Sequence, residues 1–457
     1  MRLFSTEKYT QRRKDLIQKL SEGIVWIMGN GESAANYKDN TFPFRQNSNF
    51  LYYFGINAPD LHATIDIGSG EATIYGHELT MDDIIWMGEI EKLSELGRKV
   101  GVNVVKSPEK LYEDIESAQS SGRTIHFLPP YRLEHFNDLK KTGLSTPSEA
   151  LIKAIISQRS IKDADEIKEM SHAVEITRNM HLVAMQNTKP GKYEYEVVAD
   201  IARECRRHHA DFSYGPIFSI NGQVLHNHHH DNVMTEGKLA LNDSGAHNDM
   251  LYAGDITRTF PVNGKFTNRQ KEIYEVVLEM EKTGIQLSAP GVYYRDVHLA
   301  TNKIMLERFV ALEILKGSVD DMMEQGVYGL FMPHGLGHMI GLDVHDMEDL
   351  GENWVGYEAG QERSKLLGLK SLRLARKLEP GFTLTVEPGI YFIPQLIEKF
   401  RAENKFMDFV NYDKLKSYFD FGGIRIEDNV HITAQGREVL GTYIPKEVDE
   451  IEELMRN

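Results

Sequence analysis

Leu239-Ala-Leu-Asn-Asp-Ser-Gly-Ala-His-Asn-Asp-Met-Leu-Tyr-Ala-Gly-Asp-Ile-Thr-Arg-Thr-Phe-Pro261 reads as strand, turn and strand, with an aspartate at the inner end of each arm. Leu239 to Leu241 and Ile256 to Phe260 have the apolar and β-branched character of strands. Asp243 and Asp255 are equally far from Asp249, so a hairpin turning at Asn248-Asp249-Met250 sets the two carboxylates directly opposite each other. Residues so paired have Cβ atoms about 4.5–5.5 Å apart, where two like charges repel. A cation between them removes the conflict.

Three further segments supply donors of the same kind. In Phe382-Thr-Leu-Thr-Val-Glu387, Phe382, Leu384 and Val386 share one face of a strand, with Thr383, Thr385 and Glu387 on the other. Pro388-Gly389 then stops that strand, whereas Glu379 of Glu379-Pro-Gly381 opens it as an ordinary turn residue. In Gly422-Gly-Ile-Arg-Ile-Glu427, Ile424 and Ile426 face one way and Arg425 and Glu427 the other. An arginine beside such a carboxylate can orient it. His334-Gly-Leu-Gly-His338 has two histidines four apart, but its glycines disfavour a helix and it lacks the general-base glutamate of the helical zinc motif. His338 is the expected ligand, with His334 in support.

Asp243, Asp255, His338, Glu387 and Glu427 thus offer four carboxylates and one imidazole. Hard oxygen donors with one histidine suit manganese, cobalt or zinc at two adjacent positions. His345 follows His338 by seven residues, within range of the same pocket. In His226-Asn-His-His-His230, His226 follows apolar Val224-Leu225 and is expected to point inward, with His228 to His230 in a solvated loop.

Composition sets the context. The chain has 457 residues, enough for two domains with separate cores. A net charge of −16 leaves no basic stripe for nucleic acid. Cys205 is the only cysteine, read as a buried small hydrophobe, so no intrachain disulfide forms and a reducing compartment is expected. The sequence has neither a signal-like h-region nor a run of about 18 apolar residues, which predicts a cytoplasmic protein without membrane contact. No Gly-x-Ser-x-Gly elbow is present, and Gly29-Asn-Gly31 lacks the rest of a phosphate-binding spacing.

A domain boundary is expected after residue 158, giving an α/β domain over 1–158 and a catalytic domain over 159–457. The first contains strand-like Ile24–Met28 and Ala63–Ile67 and helical Tyr9–Leu20 and Leu133–Thr142. The second opens on a long helix through Ile167–Met185, capped by Asp163 or Asp165. It continues with helices over 195–209, 270–287 and 294–313 among strands, an α+β pattern.

Asp-Ser-Gly-Ala (243–246), Gly-Asp-Ile-Thr-Arg-Thr-Phe-Pro (254–261), His-Gly-Leu-Gly-His (334–338), Val-Glu-Pro-Gly-Ile-Tyr-Phe (386–392) and Gly-Gly-Ile-Arg-Ile-Glu-Asp (422–428) occur in the order found in Xaa-Pro peptidases of the pita-bread fold. The chain resembles that family over its whole length, with Phe44-Arg-Gln-Asn-Ser-Asn-Phe50 similar to the family's N-terminal domain. The 368–376 stretch and the long segment between Tyr391 and Gly422 look more like prolidases than short aminopeptidases P.

The resemblance implies two divalent ions, usually Mn2+, with Co2+ or Zn2+ as alternatives. Asp243 and Asp255 would hold one, Asp255, His338 and Glu427 would be shared across the pair, and Glu387 would bridge or lie close to it. A hydroxide between the ions would attack the Xaa-Pro bond of a dipeptide, with Glu387 moving the proton and His226 and His345 holding the carbonyl oxygen. Arg373 would pair with the dipeptide's C-terminal carboxylate, while Arg425 and His334 would also lie at the substrate. Alternatives are an Xaa-Pro aminopeptidase acting on longer peptides and a catalytically inactive peptide-binding relative. A homodimer or larger homo-oligomer is expected. Members of the family usually separate the first two aspartates by one residue fewer, so this hairpin should hold an added loop residue, and a bulge near Asp243 would change its aim.

Overall fold

The computed structural model describes residues 2–456, which form two compact units. One is built on the chain up to Arg159 together with Asp349–Trp354; the other comprises Ser160–Glu348 and the chain from Val355 onward.

The first unit contains a mixed five-stranded sheet in the order Val104–Lys106, Ala72–Tyr75, His62–Asp66, Ile24–Met28, Ile125–His126. Its three central strands pair antiparallel and both edge strands join in parallel. Trp26, Tyr75, Leu111, Ile115, Phe127 and Leu139 are packed into one buried cluster. The first helix runs Thr6–Ile17, earlier than the apolar spacing suggested, because Ser5 caps it by accepting from the Lys8 N–H.

In the second unit the helix Ala164–Asn187 starts at Asp163, whose side chain accepts from Asp165 and Glu166 while Glu166 returns a bond to the cap. Helices Glu194–Arg207, Asn268–Leu287 and Tyr294–Ala311 follow the expected pattern to within three residues at either end. Leu239–Ser244 is the middle strand of a three-stranded antiparallel sheet, between Ile217–Ser219 and Ile256–Pro261.

The hairpin register differs from the expected one. Asp243 pairs with Thr257 and Ser244 with Ile256, so the turn is centred on Met250 rather than Asp249, and the two aspartates are diagonal rather than opposite. The cause is the loop's own hydrogen bonding. His247 bridges Ala253, and Asn248 closes a five-residue turn by accepting on Oδ1 from the N–H groups of Met250 and Tyr252 at 3.0 and 3.2 Å. Diagonal neighbours still share a face, and the ladder is unbroken from Leu239 to Ser244. The extra length is taken up beyond Ser244, with no bulge at Asp243.

Two ladders meet where Glu387 and Glu427 lie. Thr383–Val386 pairs with Asp428–Thr433, and Gly389–Tyr391 pairs with Gly423–Arg425. The chain changes ladder across 387–388 on one side and 426–427 on the other, so each glutamate stands at a switch point. Glu427 is joined to the first sheet by a bridge to Thr257, its N–H donating to the Thr257 carbonyl at 3.1 Å.

The Gly-rich segment before His338 lies against Thr383–Glu387. Thr385 N–H donates to His338 O at 3.0 Å, Glu387 N–H to Leu336 O at 2.8 Å, and His338 N–H to Thr385 Oγ1 at 3.1 Å. This contact requires a glycine, because a Cβ on residue 337 would meet Thr385 O at 2.0 Å. Gly337→Ala is therefore expected to destabilise the protein by about 1–3 kcal/mol through forced separation of loop and strand. A fall in the urea midpoint at unchanged m-value checks this.

Candidate metal centre

All five donor residues come together in the second unit. Asp243, Asp255, His338 and Glu427 are buried, at 8, 5, 3 and 2 % exposure. His338 Nε2 lies 3.4 Å from Asp255 Oδ2 and 3.7 Å from Glu387 Oε1. Potential ligand atoms of Asp255, His338 and Glu427 are all within 4.8 Å of one another. The ring of His338 is oriented by Nδ1, which donates to Met339 O at 3.0 Å and leaves Nε2 toward the carboxylates.

Several neighbours set the carboxylates. The Tyr214 hydroxyl lies within hydrogen-bond reach of both Asp243 and Asp255, at 2.6 Å from the latter, yet has one proton to give. Arg425 donates to Asp243 Oδ2, from Nε to Thr257 Oγ1 at 3.1 Å, and from Nη1 to the Tyr391 hydroxyl at 2.7 Å. Thr257 in turn donates to Glu427 Oε2 at 2.6 Å. Tyr391 and His334 Nε2 are 2.9 Å apart, and His334 Nδ1 donates to Gly335 O, so the chain of donors runs from Arg425 through Tyr391 to His334. Tyr214, Thr257 and Tyr391 have no metal-ligand spacing and were not legible as site residues in the sequence.

Electrostatics record a crowded anionic cluster. Burial, with the Asp255 and Glu387 charges, pushes Glu427 well above the usual carboxylate range. Burial likewise raises Glu387, to about 7, helped by Asp255 and Asp243. Burial opposes protonation of His338, but its Asp255 hydrogen bond and the Glu387 charge lift it to about 9. Burial and the Arg425 charge hold His334 down at about 3. Cys205 lies elsewhere, buried, with its thiol pushed up to about 12 by that burial.

The donor set suits divalent ions on two observations. Four carboxylates would balance two doubly charged cations, and Glu427 Oε1 is a buried oxygen without a hydrogen-bond partner among the described residues.

A cavity of about 350 Å3 opens over these residues and is lined also by Leu225, His226, His228, His334, His345 and Arg373. His226 lines this cavity, as expected, while remaining exposed on the 221–230 segment, which has neither helix nor strand. His229 is exposed as expected, whereas His230 is half-buried with Nδ1 3.1 Å from Phe218 O. His345 stacks on His338, ring centres 3.9 Å apart. Arg373 Nη1 donates to Glu348 Oε2 at 2.6 Å, and His345 Nδ1 is 3.0 Å from the same oxygen. Glu348 had no signal in the sequence beyond its place after His345.

Residues 168–434 match the family described as metallopeptidase family M24. The chain belongs to that family. Residues 9–126 match the aminopeptidase P N-terminal domain, so a smaller α/β domain precedes an α+β catalytic domain of pita-bread fold, as the five motifs led one to expect. This M24 metallopeptidase is 33% identical over 448 residues to the Xaa-Pro dipeptidase of Homo sapiens, covering 95% of this chain and 89% of that protein. It is 32% identical over 471 residues to the Xaa-Pro aminopeptidase of Escherichia coli strain K12, covering 99% and 98%. Among solved structures it is similar to proline aminopeptidase P II from Yersinia pestis, with a TM-score of 0.82, 30% identity and coverage of 99% and 100%. Zinc-substituted E. coli aminopeptidase P in complex with product gives a TM-score of 0.80 at 31% identity, covering 100% and 99%. Among the described residues no helix is long and apolar enough to cross a membrane.

Proposed function

We propose that this M24 metallopeptidase hydrolyses the Xaa-Pro bond of dipeptides, using two divalent ions, Mn2+ in the first instance, held by Asp243, Asp255, His338, Glu387 and Glu427. The observation that carries the reading is one cavity with these five side chains at its base and the Arg373 guanidinium on its wall. The names of the human and E. coli relatives support the Xaa-Pro bond as the target. Ions bound there supply Lewis-acid chemistry, lowering the pKa of water and polarising a carbonyl.

The protein's own residues do the rest. Arg425 orients Asp243 directly and Glu427 through Thr257. Glu387, at the cavity beside His338, would accept a proton from the attacking water and deliver it to the proline nitrogen. His226 and His345 would hold the scissile carbonyl, with His334 beside them, and Arg373 would take the C-terminal carboxylate.

An aminopeptidase acting on longer Xaa-Pro peptides is the second reading, favoured by the Glu348 carboxylate already on Arg373. Manganese-loaded protein tested on Ala-Pro and Ala-Pro-Ala separates the two. The dipeptide is expected to have kcat/KM roughly tenfold higher, the worth of one charge-assisted contact. Brisk tripeptide turnover with little on the dipeptide would discard the dipeptidase reading.

Metal uptake should release protons, because ligands bind deprotonated. With His338 near 9, Glu387 near 7 and Glu427 well above the usual carboxylate range before metal enters, loading at neutral pH is expected to displace at least roughly one to two protons. Apparent affinity then rises with pH up to the His338 value and falls below it. Calorimetry in buffers of different ionisation enthalpy measures the proton count, and a count of zero contradicts the ligand assignment.

A further inference from the structure

We propose that Glu348 is a specificity-determining residue, an internal carboxylate that competes with the C-terminal carboxylate of a bound dipeptide for Arg373. The inference rests on the Xaa-Pro reading and on Arg373 as the carboxylate's partner. One oxygen of Glu348 accepts from Arg373 Nη1 at 2.6 Å and lies 3.0 Å from His345 Nδ1, tying together two residues of the cavity wall. The Glu348 side chain is 16 % exposed, so water screens its charge only in part.

The carboxylate is also built in rather than loosely placed. Met347, immediately before it, is fully buried with a left-handed backbone at φ 62°, a conformation that turns the chain sharply. Asp346 forms a buried ion pair with Lys162 at 2.8 Å, and its N–H donates to Met339 O at 2.9 Å. Glu348 N–H meets His345 O at 3.4 Å. Held by these contacts, Glu348 stays beside the arginine when a substrate arrives. A dipeptide carboxylate reaching Arg373 meets a like charge, whereas a peptide continuing beyond proline presents a neutral N–H that a carboxylate can accept. Glu348 therefore weakens the preference for dipeptides that Arg373 alone would impose.

Glu348→Gln removes the charge and keeps an oxygen that can accept from His345. Wild type and variant are compared on Ala-Pro and on its C-terminal amide. The kcat/KM ratio of acid to amide is expected to rise about fivefold or more in the variant, with the change falling in KM for Ala-Pro rather than in kcat. Because both substrates are read on the same preparation, a smaller folded fraction cancels; Glu348→Ser should shift the ratio the same way. A ratio unmoved within about twofold, or shifted toward the amide, overturns the proposal while leaving Xaa-Pro hydrolysis intact. Absence of wild-type turnover on both substrates overturns the Xaa-Pro reading and this proposal with it.

Discussion

Asp255→Asn is expected to lower kcat/KM for a Xaa-Pro substrate by at least about a thousandfold, equivalent to roughly 4 kcal/mol of transition-state stabilisation. Asp255 is at the centre of the cluster, 3.4 Å from His338 Nε2 and 2.6 Å from the Tyr214 hydroxyl, with ligand atoms close to both His338 and Glu427. Burial would raise it, yet the His338 hydrogen bond and charge bring it below the ordinary aspartate value, so it is the member of the cluster most firmly held as an anion. An asparagine is nearly the same shape but contributes no charge, and its NH2 presents protons where lone pairs are needed. Metal bound per chain should fall together with activity, while the circular dichroism spectrum is retained. Retention of a tenth of wild-type kcat/KM at full metal occupancy would remove Asp255 from the ligand set.

The second large effect concerns stability. Arg258, from the same Thr-Arg-Thr strand, is fully buried; it donates to Asp428 Oδ1 at 2.7 Å and to the carbonyls of Thr257, Glu427, Ile444 and Pro445 at 3.0, 2.7, 3.1 and 3.1 Å. Lys446 completes the network, 2.6 Å from both Asp428 Oδ2 and Glu281 Oε1. Burial works against the Asp428 charge, but Arg258 and Lys446 hold its carboxyl well below the usual range. Burial, together with the Asp428 charge, raises Glu281 to about 8. Arg258→Met leaves one buried carboxylate short of a partner and several carbonyls without a donor, a loss of about 3–5 kcal/mol. The thermal midpoint should drop by roughly 5–8 °C for a unit of this size. Since Arg258 also holds the carbonyl of Glu427, the proposed uptake of divalent metal should weaken in the folded variant. A midpoint within about 2 °C of wild type would show that the network contributes little.

These two residues illustrate what could be read in advance. Asp255 was readable as a candidate ligand because a carboxylate at the inner end of a strand-like arm, near a second one across a turn, suggests a cation, even though the two are diagonal rather than opposite. Glu387 and Glu427 were legible because period-two alternation sorted them onto polar faces, and in the structure each stands where the chain changes ladder. Arg258 offered no such signal. In the sequence it is one more alternating residue, and its partners Glu281, Asp428 and Lys446 come from distant segments.

The hairpin marks where local reasoning stopped short. Symmetry about Asp249 put the aspartates opposite, but Asn248 can accept two backbone N–H groups, and that side-chain chemistry moved the turn to Met250. Strand register follows the loop's hydrogen bonds as well as the pattern of the arms.

By itself the sequence determined which residues could be ligands, which segments carry them, and the family to which the chain belongs, because periodicity, turn chemistry and ordered motifs are local properties. Only the tertiary structure decided the partners: Tyr214 between two aspartates, Arg425 on Asp243, and Glu348 between His345 and Arg373. Polar groups removed from water must find partners wherever the fold brings them, and that choice depends on distances between segments far apart in the chain.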